Sequence, residues 1–223
     1  MATKAVLADL TQAYAAKTGV SVQIESLGGV DAAKRVQAGE AVDMVLLASD
    51  AMDRLMASGH VQPGSRSDWV RSPVAVAVQA GAAKPDLSNE AAVKASVLAS
   101  PTLSYSTGPS GVYLEKLFER WGIAGELKSR IVVAPPGVPV GALVANGQAA
   151  LGFQQLSELM ALPGIEVVGT LPADMAFITT FSSGLASVIA DDASRVAAVH
   201  AFLQFLASAG VEDVKRKQGM HWL

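Results

Sequence analysis

The apolar positions near the start of the chain, Val6, Leu7, Leu10 and Tyr14, recur at helical spacing, with Thr3 placed to cap the helix and Gly19 to end it. The period then changes. Residues 20–24 alternate as a strand, 26–30 form a loop, 31–38 a short helix stopped by Gly39, and 42–47 an apolar run that reads as a buried strand. Ser49 and Asp50 follow and are placed to cap a helix over 51–57. After a polar loop over 59–68, Arg71, Ser72 and Pro73 lead into a strand at 74–78, and Ser88 caps a helix reaching about residue 98. Leu103 and Tyr105 lie on a strand, 112–121 is a helix, 131–133 a strand, and 142–145 a short helix ended by Asn146 and Gly147. A strand over 149–153 leads into Gln154 and Gln155, and strands at 166–168 and 176–181 precede helices at 191–207 and 211–218. Val196, Val199, Phe202, Leu203 and Leu206 make the core stripe of the first of these.

Strands alternating with helices predict an α/β fold, and the strand ends that carry small polar residues are where open α/β sheets bind ligands. No repeat or low-complexity linker interrupts the pattern. Soft boundaries near residues 72 and 180 predict a discontinuous first domain, 1–72 plus 181–223, and a second domain over 73–180 inserted in it. The two chain crossings, near 72–74 and 179–182, would form a hinge of two segments.

The stretch 105–114 carries the clearest candidate chemistry. It ends a strand, passes through a loop of glycine and hydroxyl residues and opens a helix. Helix-start N–H groups lack intrahelical partners and sit at the positive end of the helix dipole, so the loop is fit to hold an anion. Gly108 and Gly111 keep side chains away from a close ligand, and Ser106, Thr107 and Ser110 add hydroxyl donors. The same residues would also serve an ordinary capped helix start.

Composition narrows the classes. The 223 residues are 51% hydrophobic and 17% charged with a net charge of -3, and the 17 basic residues form no dense run, which argues against a nucleic-acid partner. Cysteine is absent, so disulfides, thiolate metal sites and cysteine nucleophiles are excluded. No apolar run has the length of a membrane span, and the first residues lack a secretory signal's basic segment and apolar core. His60, His200 and His221 lack metal-ligand spacing, and no nucleotide or metal motif calls for a cofactor. Trp69, Trp121 and Trp222 read as packing residues, and the run 215–217 as a charged helix end on a solvated face.

In their order and spacing, residues 36–50, 108–113, 141–144 and 150–153 resemble the type II periplasmic solute-binding proteins, in their molybdate-binding-protein-like branch. The resemblance covers most of the chain. It implies a two-lobed periplasmic-binding-protein fold, each lobe a mixed sheet flanked by helices, with a small anionic ligand held between lobes and an ABC permease as partner. It also implies that the 106–111 loop meets the loops at Ser26, Ser49, Pro136, Gly137 and Gln155 at the ligand. Gln154, Ser72 and Thr180 are further candidate contacts; Ser26, Ser49 and Thr180 read equally well as turn or cap residues.

The chain departs from the branch in two respects. Leu27, Gly28 and Gly29 stand where a serine-rich turn is expected, and Gln155 where a tyrosine hydroxyl is expected. A bare tetrahedral oxyanion would lose donors there, whereas glutamine amides and Arg71 suit planar carboxylates; Arg71 also reads as a solvated surface arginine. An organic di- or tricarboxylate is therefore the expected ligand, ahead of molybdate or tungstate. The family's opening strand is also missing, a strand that would lie between 20–24 and 42–47. This predicts a natural start upstream of Met1 that carries that strand and a signal, for a periplasmic protein; a genuine start at Met1 would make it cytoplasmic. A second molecule could otherwise supply the strand, giving an oligomer.

Two functions fit these expectations. One is a receptor that closes on the anion and feeds an importer. The other is an isomerase on the same scaffold that interconverts aconitate isomers by an allylic proton shift, which needs a general base beside donors for an enolate-like intermediate. Tyr105, Glu25 and Asp50 are candidates for that base by position only and none is compelling, so the receptor is the expected function and the isomerase the alternative.

Overall fold

The computed structural model describes residues 1–135 and 137–221. The candidate residue Pro136, and Trp222, lie outside the described residues. The chain divides into two compact units, Met1–Arg71 with Thr180–Leu223, and Ser72–Thr179.

In the first unit, α1 (Lys4–Thr18) ends at Gly19, whose φ of 75° is left-handed and whose N–H bonds back to Ala15. Thr3 occupies the cap position, but its side chain makes no cap bond. There follow α2 (Gly29–Gln37), β1 (Met44–Ala48) and α3 (Ser49–Ala57). Asp50 does not cap α3. It lies in the first turn and pairs with Arg54, since Ala48 already holds the cap position. Residues 20–24 are not a strand. Alternation makes a strand only where a ladder partner exists, and among the described residues β1 pairs with β7 (Ile178–Leu185), from Met44 opposite Leu185 to Ala48 opposite Phe181. Val22 and Ile24 instead pack against the core that α1 shares with α9 (Ala193–Ala207), where Tyr14 meets the Phe202 ring edge-on at 5.1 Å.

The short helix α10 (Glu212–Lys217) corrects the reading of the basic run at the chain's end. Lys215 is fully buried, and its amine donates to the Trp69 carbonyl at 2.7 Å. Burial pushes that amine down to about 8, with Glu212 opposing the shift. Trp69 lies on β2 (Ser67–Gln79), whose Arg71 exchanges two backbone hydrogen bonds, each 2.8 Å, with His221.

From Ser72 onward β2 belongs to the second unit. There the chain continues through α4 (Glu90–Ala99), β3 (Leu103–Ser106), α5 (Pro109–Arg120), α6 (Ala124–Leu127), β4 (Ile131–Ala134), α7 (Val140–Ala145), β5 (Leu151–Gln155), α8 (Leu156–Leu159) and β6 (Ile165–Thr170). Asn89, not Ser88, caps α4: it adopts the extended backbone just before the first helical residue, and its side chain accepts from Ala92 N–H at 3.0 Å. α5 starts three residues earlier than its apolar pattern indicates, with Pro109 at the first helical position, where the missing N–H costs nothing.

The sheet of this unit runs β6, β2, β5, β3, β4. β3 is parallel to β4 and β5, while β2 is antiparallel to β5 and β6. Residues 72–78 of β2, between two neighbouring strands, are buried throughout. The parallel trio delivers three carboxyl ends to one edge: Ser106 stands opposite Ala134, and Tyr105 opposite Phe153, two residues before β5 ends. β2 enters this unit at that same edge, with Val74 opposite Gln155. Among the described residues, no single helix is long and apolar enough to cross a membrane.

Candidate functional site

The edge formed by the carboxyl ends of β3, β4 and β5 gathers most of the candidates of the second unit. Ser106 ends β3, and its hydroxyl accepts from Gly108 N–H at 3.3 Å, fixing the turn into α5. Ser110 is buried in the first turn of α5, and Thr107 is exposed. Gly111 has a different role from the one its position in a ligand loop suggests. A Cβ there would lie 1.7 Å from the Ser106 carbonyl oxygen, so the missing side chain lets α5 sit directly on the strand end. The twelve-residue helix still directs its first N–H groups toward the loop. Gly137, in the loop after β4, is exposed and takes a φ of 80°.

Gln154 and Gln155 are both buried at the end of β5, but adjacent strand residues face opposite ways and the two amides do different work. The Gln154 side-chain oxygen accepts from Val140 N–H at 2.9 Å and caps α7. The Gln155 amide nitrogen donates to the Thr179 hydroxyl at 2.6 Å, while its oxygen is buried without a hydrogen-bond partner among the described residues. Beside it on the chain, the Ser72 and Ser157 hydroxyls pair at 3.3 Å in a buried contact. Ser104, on β3, is a buried hydroxyl with no partner among the described residues.

Half-buried Glu158 stands apart from the expected bases. Burial pushes its carboxyl above the usual carboxylate range. By contrast Glu25 is fully tied to Arg35, whose hydrogen bonds hold it below the usual range, and Asp50 is exposed beside Arg54. Tyr105 is pushed up to about 12 by burial and by Glu115, to which its hydroxyl donates at 3.4 Å. Neither Glu25 nor Tyr105 is a ready proton acceptor near neutral pH.

The remaining candidates lie in the first unit. Gly28 precedes α2 and offers its carbonyl to Ala32 N–H at 2.9 Å, Gly29 is the first residue of α2, and Ser49 the first of α3. Ser26 is half-buried, and Arg71 exposes its side chain. Thr180 is half-buried next to Thr179, the threonine that holds Gln155. Thr179, Ser157, Ser104 and Glu158 escaped the sequence reading. The available signal for Glu158 was an acid placed three residues after a buried Gln pair. Among the described residues, no group of three or more acidic or histidine side chains is placed to hold a metal ion.

This edge joins a helix start, buried hydroxyls and an amide with one uncommitted end, groups that suit an anion. The sequence profile of the family described as bacterial extracellular solute-binding protein matches residues 1–221. Aconitate isomerase of a Pseudomonas species is 40% identical over 220 residues, covering 95% of this chain and 81% of that protein. Among solved structures, the periplasmic molybdate-binding protein of Azotobacter vinelandii matches with a TM-score of 0.77 at 20% identity, covering 99% of this chain and 95% of that one. Peb3 from Campylobacter jejuni matches with a TM-score of 0.71 at 14% identity, covering 99% and 96%. The chain belongs to the bacterial extracellular solute-binding protein family and has the type II, molybdate-binding-protein-like fold.

Proposed function

We propose that this protein binds an organic di- or tricarboxylate at the carboxyl-end edge of its second unit and isomerises it by an allylic proton shift, with aconitate as the reference substrate. The observation that carries the reading is the Gln155 amide, buried and held at one end by Thr179, with its other end left for a ligand. Because the Thr179 hydroxyl both donates and accepts, the amide presents either its oxygen or its N–H groups, a planar polar face that suits a carboxyl group. The start of α5 supplies donors for a second negative group. Similarity to an aconitate isomerase supports the reaction class. The solved structures with molybdenum or molybdate in their names match at 16% and 20% identity.

Family membership favours a second reading, a receptor outside the cytoplasmic membrane that hands the same carboxylate to an ABC permease. Incubating the purified protein with cis- and trans-aconitate, alongside calorimetric titration with the same acids and with molybdate, separates these readings. Interconversion of the isomers supports the isomerase. Tight carboxylate binding without turnover supports the receptor, and tight molybdate binding with no response to carboxylates refutes both.

A further inference from the structure

Resting on the carboxylate reading of this edge, we propose that Gln155 meets the ligand with its amide N–H groups, that Thr179 holds the amide in that orientation, and that the ligand group received there is an ionised carboxylate. Bond length and proton count both favour that orientation. The Gln155 amide and the Thr179 hydroxyl lie 2.6 Å apart, and both side chains are buried. That separation is shorter than N–H···O bonds, about 2.7–3.2 Å, and falls within the O–H···O range of about 2.5–3.0 Å. With the amide nitrogen toward Thr179, two groups go unserved among the described residues: the Gln155 oxygen and the hydroxyl proton of Thr179. A half-turn of the amide about its last side-chain bond exchanges nitrogen and oxygen in place. The Thr179 hydroxyl then donates to the Gln155 oxygen, and what is left unserved is a single NH2 group. Buried donors of that kind call for an acceptor, and a carboxylate oxygen is among the strongest.

Strand alternation puts these donors on the side of the sheet where α5 begins. Gln155 lies two residues after Phe153, so their side chains share a face, and Phe153 stands opposite Tyr105 on β3. Tyr105 and Phe153 pack with Leu114 and Phe118 of α5 in one apolar cluster, and a Cβ on Gly111 would lie 3.0 Å from the Tyr105 ring. Gln155 is therefore on the α5 side, level with Thr107 in the loop that opens the helix. Gln154 faces the other side, where it caps α7. The first N–H groups of α5, which receive no side-chain cap from Gly108, belong to the same edge. Donors from β5 and from α5 on one face suit two carboxylates of one ligand. At the Gln155 position an ammonium group would meet donors with donors, and a neutral hydroxyl would accept a bond roughly half as strong as a carboxylate does.

The test uses trans-aconitate as the probe, with NMR of the Gln155 side-chain N–H signals in isotope-labelled protein and calorimetry of Q155M, Q155E, T179V and T179S. On binding, both N–H signals are expected to move downfield and to exchange more slowly with water. Q155M is expected to weaken binding by roughly 10–100-fold, the loss of a hydrogen bond to a charged group. Q155E puts a negative acceptor in the same place and is expected to weaken it by roughly a further tenfold or more. T179S keeps the hydroxyl and is expected to recover most of the affinity that T179V loses. A purely structural role for the Thr179 bond would lower stability and leave the N–H signals unmoved by the ligand. Signals that stay in place while aconitate binds, or a Q155E protein that binds as tightly as wild type, overturn the assignment and leave the carboxylate reading intact. Wild type that binds neither aconitate isomer removes that reading and the assignment with it. Should the Gln155 variants fail to fold, the wild-type N–H signals decide alone: a downfield shift supports the assignment, and unmoved signals refute it.

Discussion

Replacing Lys215 with methionine isolates one buried charge whose contribution can be worked out from its surroundings. The side chain is fully buried, its amine donates to the Trp69 carbonyl at 2.7 Å and lies 5.6 Å from the Trp69 ring centre, and burial lowers its pKa from 10.5 to about 8. Below pH 8 the amine is protonated in both folded and unfolded chains, and folding bears the full cost of burying the charge, at most ~3.4 kcal/mol for a shift of this size. Between about pH 8 and pH 10.4 the unfolded chain holds the proton and the folded chain does not, so stability rises with pH by about 1.4 kcal/mol per unit. Above that window the cost is gone. Methionine removes the cost and also the bond to the Trp69 carbonyl, a loss of about 1–2 kcal/mol. K215M is therefore expected to be more stable than wild type by about 1–2 kcal/mol at pH 7 and less stable by a similar amount above pH 10.5. Urea unfolding of both proteins from pH 7 to 10.5 measures the difference, and other titrating groups cancel in it. Tyr105, raised to about 12 and so stabilising below pH 10, behaves alike in both chains. A wild-type-minus-variant difference that stays flat across this range refutes the buried, ionisable amine.

Two further substitutions probe the site. Gly111→Ala places a Cβ 1.7 Å from a backbone carbonyl, and the first turn of α5 cannot yield without leaving β3, so we expect a loss of at least ~4 kcal/mol in thermal or urea unfolding; a loss below 1 kcal/mol would show that α5 does not rest on the strand end. Thr179→Val leaves the buried Gln155 amide without its anchor, with an expected cost of about 1–3 kcal/mol and about tenfold weaker carboxylate binding in calorimetry. Unchanged affinity would remove Gln155 from the ligand site.

Local patterns in the sequence revealed what local physics determines. The apolar stripe of α1 and its glycine end, the glycine and hydroxyl turn into α5, and the strand before Gln154 each report their own conformation within a few residues. Pairing is different. Residues 20–24 have a strand's alternation, yet whether they form a ladder depends on a neighbour distant in sequence. Lys215 sits in a basic run that resembles a solvated helix end, and only the packing of α10 against β2 reveals that one of its three cations is buried. The Gln pair was visible as a polar mark after a buried strand, but the strand's alternation splits its members between capping α7 and meeting Thr179.

The central claim is that this solute-binding fold performs chemistry on its carboxylate. NMR of the wild-type protein with cis-aconitate in D2O tests it most directly. The account predicts trans-aconitate appearing with deuterium at the carbon that gains the proton, at a rate proportional to protein concentration. A proton spectrum that stays unchanged while calorimetry shows the acid bound would contradict it and leave a receptor.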